Sequence, residues 1–110
     1  MLDLRLYMAQ RISALIMIPL TLGHIAMMIY AVQGGLSAGE ILARTQGSLA
    51  WMLFYGSFVA AVSVHAAIGL RVILFESFKI KETILNALSW TVFLGLLYMG
   101  ARAVYAVTAL

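Results

Sequence analysis

Two histidines, His24 and His65, sit inside long stretches that are otherwise apolar. Ionisable groups are costly in such surroundings and need a partner. One reading of an imidazole there is a hydrogen bond to a neighbouring helix. Two others are functional: an axial ligand to haem iron, or a step in a proton relay. The neighbours of His65 favour the haem. Its segment reads Ser63-Val64-His65-Ala66-Ala67-Ile68-Gly69-Leu70-Arg71. On a helix, Gly69 lies one turn from His65 on the same side, where a missing side chain leaves room for a flat macrocycle. Arg71 lies six residues on, about 9 Å along the axis, and a guanidinium at that level attracts anionic propionates. Taken singly, Gly69 reads as close helix packing and Arg71 as an interface anchor. Taken with His65 they form a haem-binding pattern. A second constellation surrounds Arg11, in Tyr7-Met8-Ala9-Gln10-Arg11-Ile12-Ser13. Arg11 reads either as a snorkelling anchor or as a donor to a quinone carbonyl at the membrane surface. Tyr7, Gln10 and Ser13 supply further polar groups within about one turn, and a quinone headgroup needs such donors beside apolar walls.

The elements that must position these residues are membrane helices. Apolar residues make up 65% of the 110 positions and charged ones 10%, too few charges for the surface of a soluble domain of this length. The spans are expected at about 12–32, 49–75 and 84–107, within one membrane domain covering 1–110. Each exceeds the roughly 20 residues that cross a bilayer at 1.5 Å per residue. Pro19 falls inside the first span, where membrane helices tolerate it. Trp51, Tyr55 and Trp90 lie near span ends, as interfacial aromatics do. Gly34 to Ser48 and Glu76 to Thr83 read as short polar connections. Strand-type alternation is lacking, so the fold class is all-α rather than a β-barrel. The first apolar run is too long for a secretory h-region and no small-residue cleavage site follows, so no removable signal peptide is expected.

Composition and charge exclude several functions. With no cysteine, this chain offers neither a disulfide nor a thiolate or iron–sulfur ligand. A formal charge of +3 is too scattered for nucleic-acid binding. No paired charges lie inside the spans, which argues against a transporter. Arg5, Arg11, Arg71, Lys79 and Lys81 fall on one side and only Arg44 and Arg102 on the other. The positive-inside rule therefore puts the N-terminus in the cytoplasm, or on the equivalent matrix side, and the C-terminus outside.

Two of these stretches resemble one family. Gln10-Arg11-Ile12-Ser13-Ala14 resembles the His-Arg-x-Ser-Gly start of succinate dehydrogenase membrane subunits. His65-x-x-x-Gly69-x-Arg71, followed by Glu76, resembles the haem motif on their second helix. The resemblance implies a membrane anchor of succinate:quinone oxidoreductase or fumarate reductase in a bacterial inner membrane or its equivalent. The three helices would form half of a heterodimeric anchor bundle. It further implies an iron–sulfur subunit, a flavoprotein subunit and a second small anchor subunit as partners, with electrons passing from the iron–sulfur subunit to quinone. By carry-over, His65 ligates haem b and Arg11 lies at the quinone site. Tyr7 stands where the family often has Ser, and Gln10 where it usually has His. Ser77 stands where the other small anchor subunit often has Tyr, which favours the cytochrome b-type subunit.

His24 extends the resemblance to the family's two-haem anchors, which use first-helix histidines. It lies 13 residues beyond Arg11, about 20 Å deep, whereas His65 is about 9 Å from Arg71. Levels that differ by roughly 10 Å suit two stacked haems, each taking its other ligand from a partner chain, and do not suit one shared iron. The expectation is therefore one haem b, or two with His24 as the second iron ligand. Thr21, a hydrogen-bond partner for His24 within the chain, is the alternative. At the level of the whole protein the rival is a haem-free structural three-helix subunit of another membrane complex.

Overall fold

A computed structural model describes residues 4–109. Three long helices dominate it: α1 (Leu4–Gly34), α3 (Leu49–Phe78) and α4 (Glu82–Thr108). Each is long and apolar enough to cross a membrane. A short helix, α2 (Ala38–Thr45), lies between the first two. The overall dimensions, 47 × 22 × 22 Å, are those of a slender bundle slightly longer than a bilayer's hydrocarbon layer.

Side-chain pairings fix the topology. Gln10 lies against Gly69 and Gly23 against Phe54, so α1 and α3 run antiparallel. Arg71 meets Asn86 and Val59 meets Gly100, so α3 and α4 do the same. α3 is the central helix, packed on α1 along one side and on α4 along another. Its buried residues are mostly small, with Ala61, Ser63 and Ala67 almost wholly covered. Small residues let membrane helices approach closely, since hydrocarbon outside gives no hydrophobic drive for association. Ser63 satisfies its hydroxyl internally by donating to the Val59 carbonyl at 2.7 Å. Leu15, Ile18, Leu22 and Leu94 remain more than half exposed and face lipid or other subunits.

The helices extend further than the uncharged stretches of the sequence. α1 already includes Arg5 and Tyr7, and α3 continues through Glu76 to Phe78. Charged and polar side chains on the overhanging turns reach water while the backbone stays helical. The stretch read as an irregular connection before Ser48 holds α2. Ser37 caps that helix reciprocally: its Oγ accepts from the Glu40 amide at 3.2 Å and donates to the Glu40 carboxylate at 2.7 Å. This is the capping box, and Glu40 near the start and Arg44 near the end complement the helix dipole. Gly35 enters the turn with φ 121°, where a side chain would strike the Glu40 carboxylate. Thr45 Oγ1 donates to the Val107 carbonyl and the Gly47 amide to that of Thr108, so α2 is fastened to the end of α4. At the other end Lys79 closes α3 in the left-handed conformation, φ 53°, and its amide donates to the Phe75 carbonyl.

Candidate haem and quinone sites

His65 projects from α3 into an open cleft of about 360 Å³ whose other walls come from α1: Ala14, Met17, Ile18, Thr21 and Leu22. Its Nδ1 is buried and makes no hydrogen bond. Gly69 lies one turn further on, and the Gln10 amide nitrogen stands 3.6 Å from where a Gly69 side chain would begin. Gln10 Oε1 is also buried without a partner. One imidazole nitrogen and one amide oxygen are thus left unsatisfied by the described residues along the same α1–α3 seam. Unmet buried polar groups are uncommon and costly, which singles this seam out as the candidate site.

His24 lies further toward the opposite end. Its ring packs at 5.2 Å on Phe58 and edge-on at 6.1 Å against Tyr55. It lines a cavity of about 410 Å³ together with Thr45 of α2 and Gly100, Ala103 and Val104 of α4. No hydrogen bond joins it to Thr21 among the described residues. Phe58 and His65 are seven residues apart on one stripe of α3, a separation of about 10 Å along the axis. The packing on Phe58 thus sets His24 at a different level of α3 from His65.

Arg71 is not on this stripe. Six residues from His65 is about 600° of rotation, which turns Arg71 roughly 120° away around α3. It is 7% exposed and donates to Asn86 Oδ1, with Glu82 Oε1 4.0 Å from its other terminal nitrogen. The quinone candidates divide likewise. Arg11 lies 5.8 Å from the Tyr7 ring centroid, and both side chains are exposed on the outer side of α1. Ser13 is two residues on, turned inward and buried, and donates to the Gln10 carbonyl at 3.0 Å. The structure thus joins Tyr7 to Arg11 and His65 to Gly69, and separates Ser13 from the first pair and Arg71 from the second. Gln10, read from sequence as a polar group beside Arg11, lies instead on the α1–α3 seam near Gly69, and reasoning from sequence left Asn86 and Ser89 outside the sites. The signal for the last two was present: Glu82, Asn86 and Ser89 repeat at i, i+4 and i+7 on an apolar helix.

Among the described residues no three His, Cys, Asp or Glu side chains converge. Axial ligation of haem iron needs only one imidazole from each side. With this geometry in place, the family comparison is decisive. The profile of the succinate dehydrogenase/fumarate reductase transmembrane subunits matches residues 2–103. The chain belongs to that family. Searches among curated proteins and solved structures returned no match. As a succinate dehydrogenase/fumarate reductase transmembrane subunit it is a multi-pass membrane anchor of a complex II-type enzyme, in keeping with its three apolar helices.

Proposed function

We propose that this chain is the haem b-binding anchor subunit of a succinate:quinone oxidoreductase or fumarate reductase, on the electron path from the iron–sulfur subunit to quinone. The carrying observation is the His65 imidazole, unpartnered in an apolar cleft beside a glycine, in a chain of this family. His65 would hold the haem iron from this chain, and the second small anchor subunit would supply the other ligand. A b-type haem contributes reversible one-electron chemistry at its iron. Gly69 keeps the neighbouring turn free of side chain, and Met17, Ile18 and Leu22 exclude water. His24 would hold a second haem, at a different level of the bundle from His65. Tyr7 and Arg11, exposed near the end that carries most of the basic residues, would meet the quinone headgroup where the iron–sulfur and flavoprotein subunits would dock. That end faces the cytoplasm or its equivalent.

Purification of the assembled complex through a tag on this chain tests the reading. A flavoprotein and an iron–sulfur protein should copurify, and the reduced-minus-oxidised spectrum should show a b-type α-band. A complex with those partners and no such band would leave the chain a haem-free anchor.

A further inference from the structure

A cavity of about 290 Å³ opens at the basic end between α1, α3 and α4, on a different side of α3 from the His65 cleft. Its walls are mostly apolar, with Ala9, Val64, Ile68 and Phe93 among them, and Arg71, Asn86 and Ser89 provide the polar groups. Two of these polar groups are incompletely satisfied among the described residues. Arg71 Nε and Ser89 Oγ are both buried without a hydrogen-bond partner. Asn86 is neutral, and the Glu82 carboxylate is 4.0 Å away on a side chain 83% exposed. A buried guanidinium with so little counter-charge is costly and calls for an anion. Both free groups can donate, so the partner must be rich in acceptor oxygens. A neutral carbonyl would leave the charge uncompensated.

The depth of the site narrows the choice further. Arg71 is seven residues from the end of α3, about 10 Å along the axis. A 30-residue helix is about 45 Å long and overhangs a 30 Å hydrocarbon layer by about 7 Å at each end if centred. Arg71 then lies just inside the hydrocarbon edge, within reach of lipid headgroups. Trp90, an interfacial type of side chain, lines the same cavity, and Lys79 and Lys81 stand at the turn between α3 and α4 at this end of the bundle.

We propose that this cavity is a binding site for an anionic phospholipid, whose phosphate accepts hydrogen bonds from Arg71 Nε and the Ser89 hydroxyl. The apolar walls contributed by Val64, Ile68 and Phe93 receive the lipid's non-polar body. Electron transfer does not pass through this site, and it is independent of haem ligation by His65. The test compares the wild-type complex with Ser89→Val and Arg71→Gln complexes, using native mass spectrometry to count retained lipids. Exchange against phosphatidylglycerol and phosphatidylcholine then gives the selectivity. The wild-type complex should retain one more anionic phospholipid than either variant, and phosphatidylglycerol should compete about tenfold better than phosphatidylcholine, whose choline cation offsets the phosphate charge that the buried guanidinium needs. The haem spectrum of Ser89→Val should be unchanged. If Arg71→Gln fails to assemble, Ser89→Val alone decides. Equal lipid retention in Ser89→Val and wild type would overturn the proposal. So would loss of quinone rather than lipid from the variant, or cross-linking of Arg71 to a carboxylate of another subunit.

Discussion

His65 and His24 differ in how far this chain satisfies them. The His65 Nδ1 is buried and unpartnered, whereas the His24 ring rests on Phe58 and Tyr55. His65→Ala should abolish the haem band of the principal b-type centre and lower the yield of assembled complex, as read by pyridine haemochrome content per flavin. His24→Ala should take away half the haem and leave the His65-dependent band in place. A wild-type ratio of one haem per complex would rule out the second centre. Arg11 stands on an exposed turn with Tyr7, where loss of charge has little to unfold. Arg11→Leu should therefore reduce succinate:quinone activity at least tenfold, while succinate oxidation with a soluble artificial acceptor stays within about twofold. Parallel loss in both assays would show an assembly defect. Spacing alone conveyed the levels of the two histidines and the glycine beside His65. It did not convey which way Arg71 faces, because Arg71 was judged by distance along the axis and not by rotation around it.

At the level of elements, α3 and α4 depend on a close contact that only glycine allows. A side chain added at Gly100 would run into Val59, a β-branched residue with little rotamer freedom. Gly100→Ala should destabilise the pair by about 1–3 kcal/mol, the usual range for overpacking. Combining it with Val59→Ala should restore part of the loss, measured as the midpoint of thermal inactivation of the complex in detergent. No recovery in the double variant would mean that Gly100 is needed for some other contact. Apolar runs of this length made the three spans legible, since little else holds so many uncharged residues in a row. Their ends were less legible: Arg5, Tyr7 and Glu76 belong to helices whose polar side chains simply reach past the hydrocarbon. α2 went unseen although Ser37-x-x-Glu40 is its capping box, because the run is too short for periodicity to register. Ser89 was overlooked because a serine in a membrane helix usually bonds to its own backbone, and only the packing shows its hydroxyl unpaired.

For the molecule as a whole, sidedness is the property most directly open to experiment. The chain has no cysteine, so single replacements report alone. In intact cells, Ser37→Cys, beside α2, should react with a membrane-impermeant maleimide, and Ser77→Cys, on the last turn of α3, should react only after the membrane is opened. The opposite pattern would reverse the topology and move the proposed quinone face with it. The interior of the bundle bears on the life of the protein before assembly. Only Ala61, Ala67, Ile68 and Leu85 are buried apolar side chains among the described residues. A newly inserted copy is therefore held together chiefly by its backbone ladders and a few small-residue contacts, with His65 and Arg71 still short of partners. Such a copy should be degraded by membrane proteases until its neighbours arrive. Its abundance in the cell should then follow the supply of the other subunits rather than its own rate of synthesis, and surplus copies should be short-lived in a pulse-chase experiment.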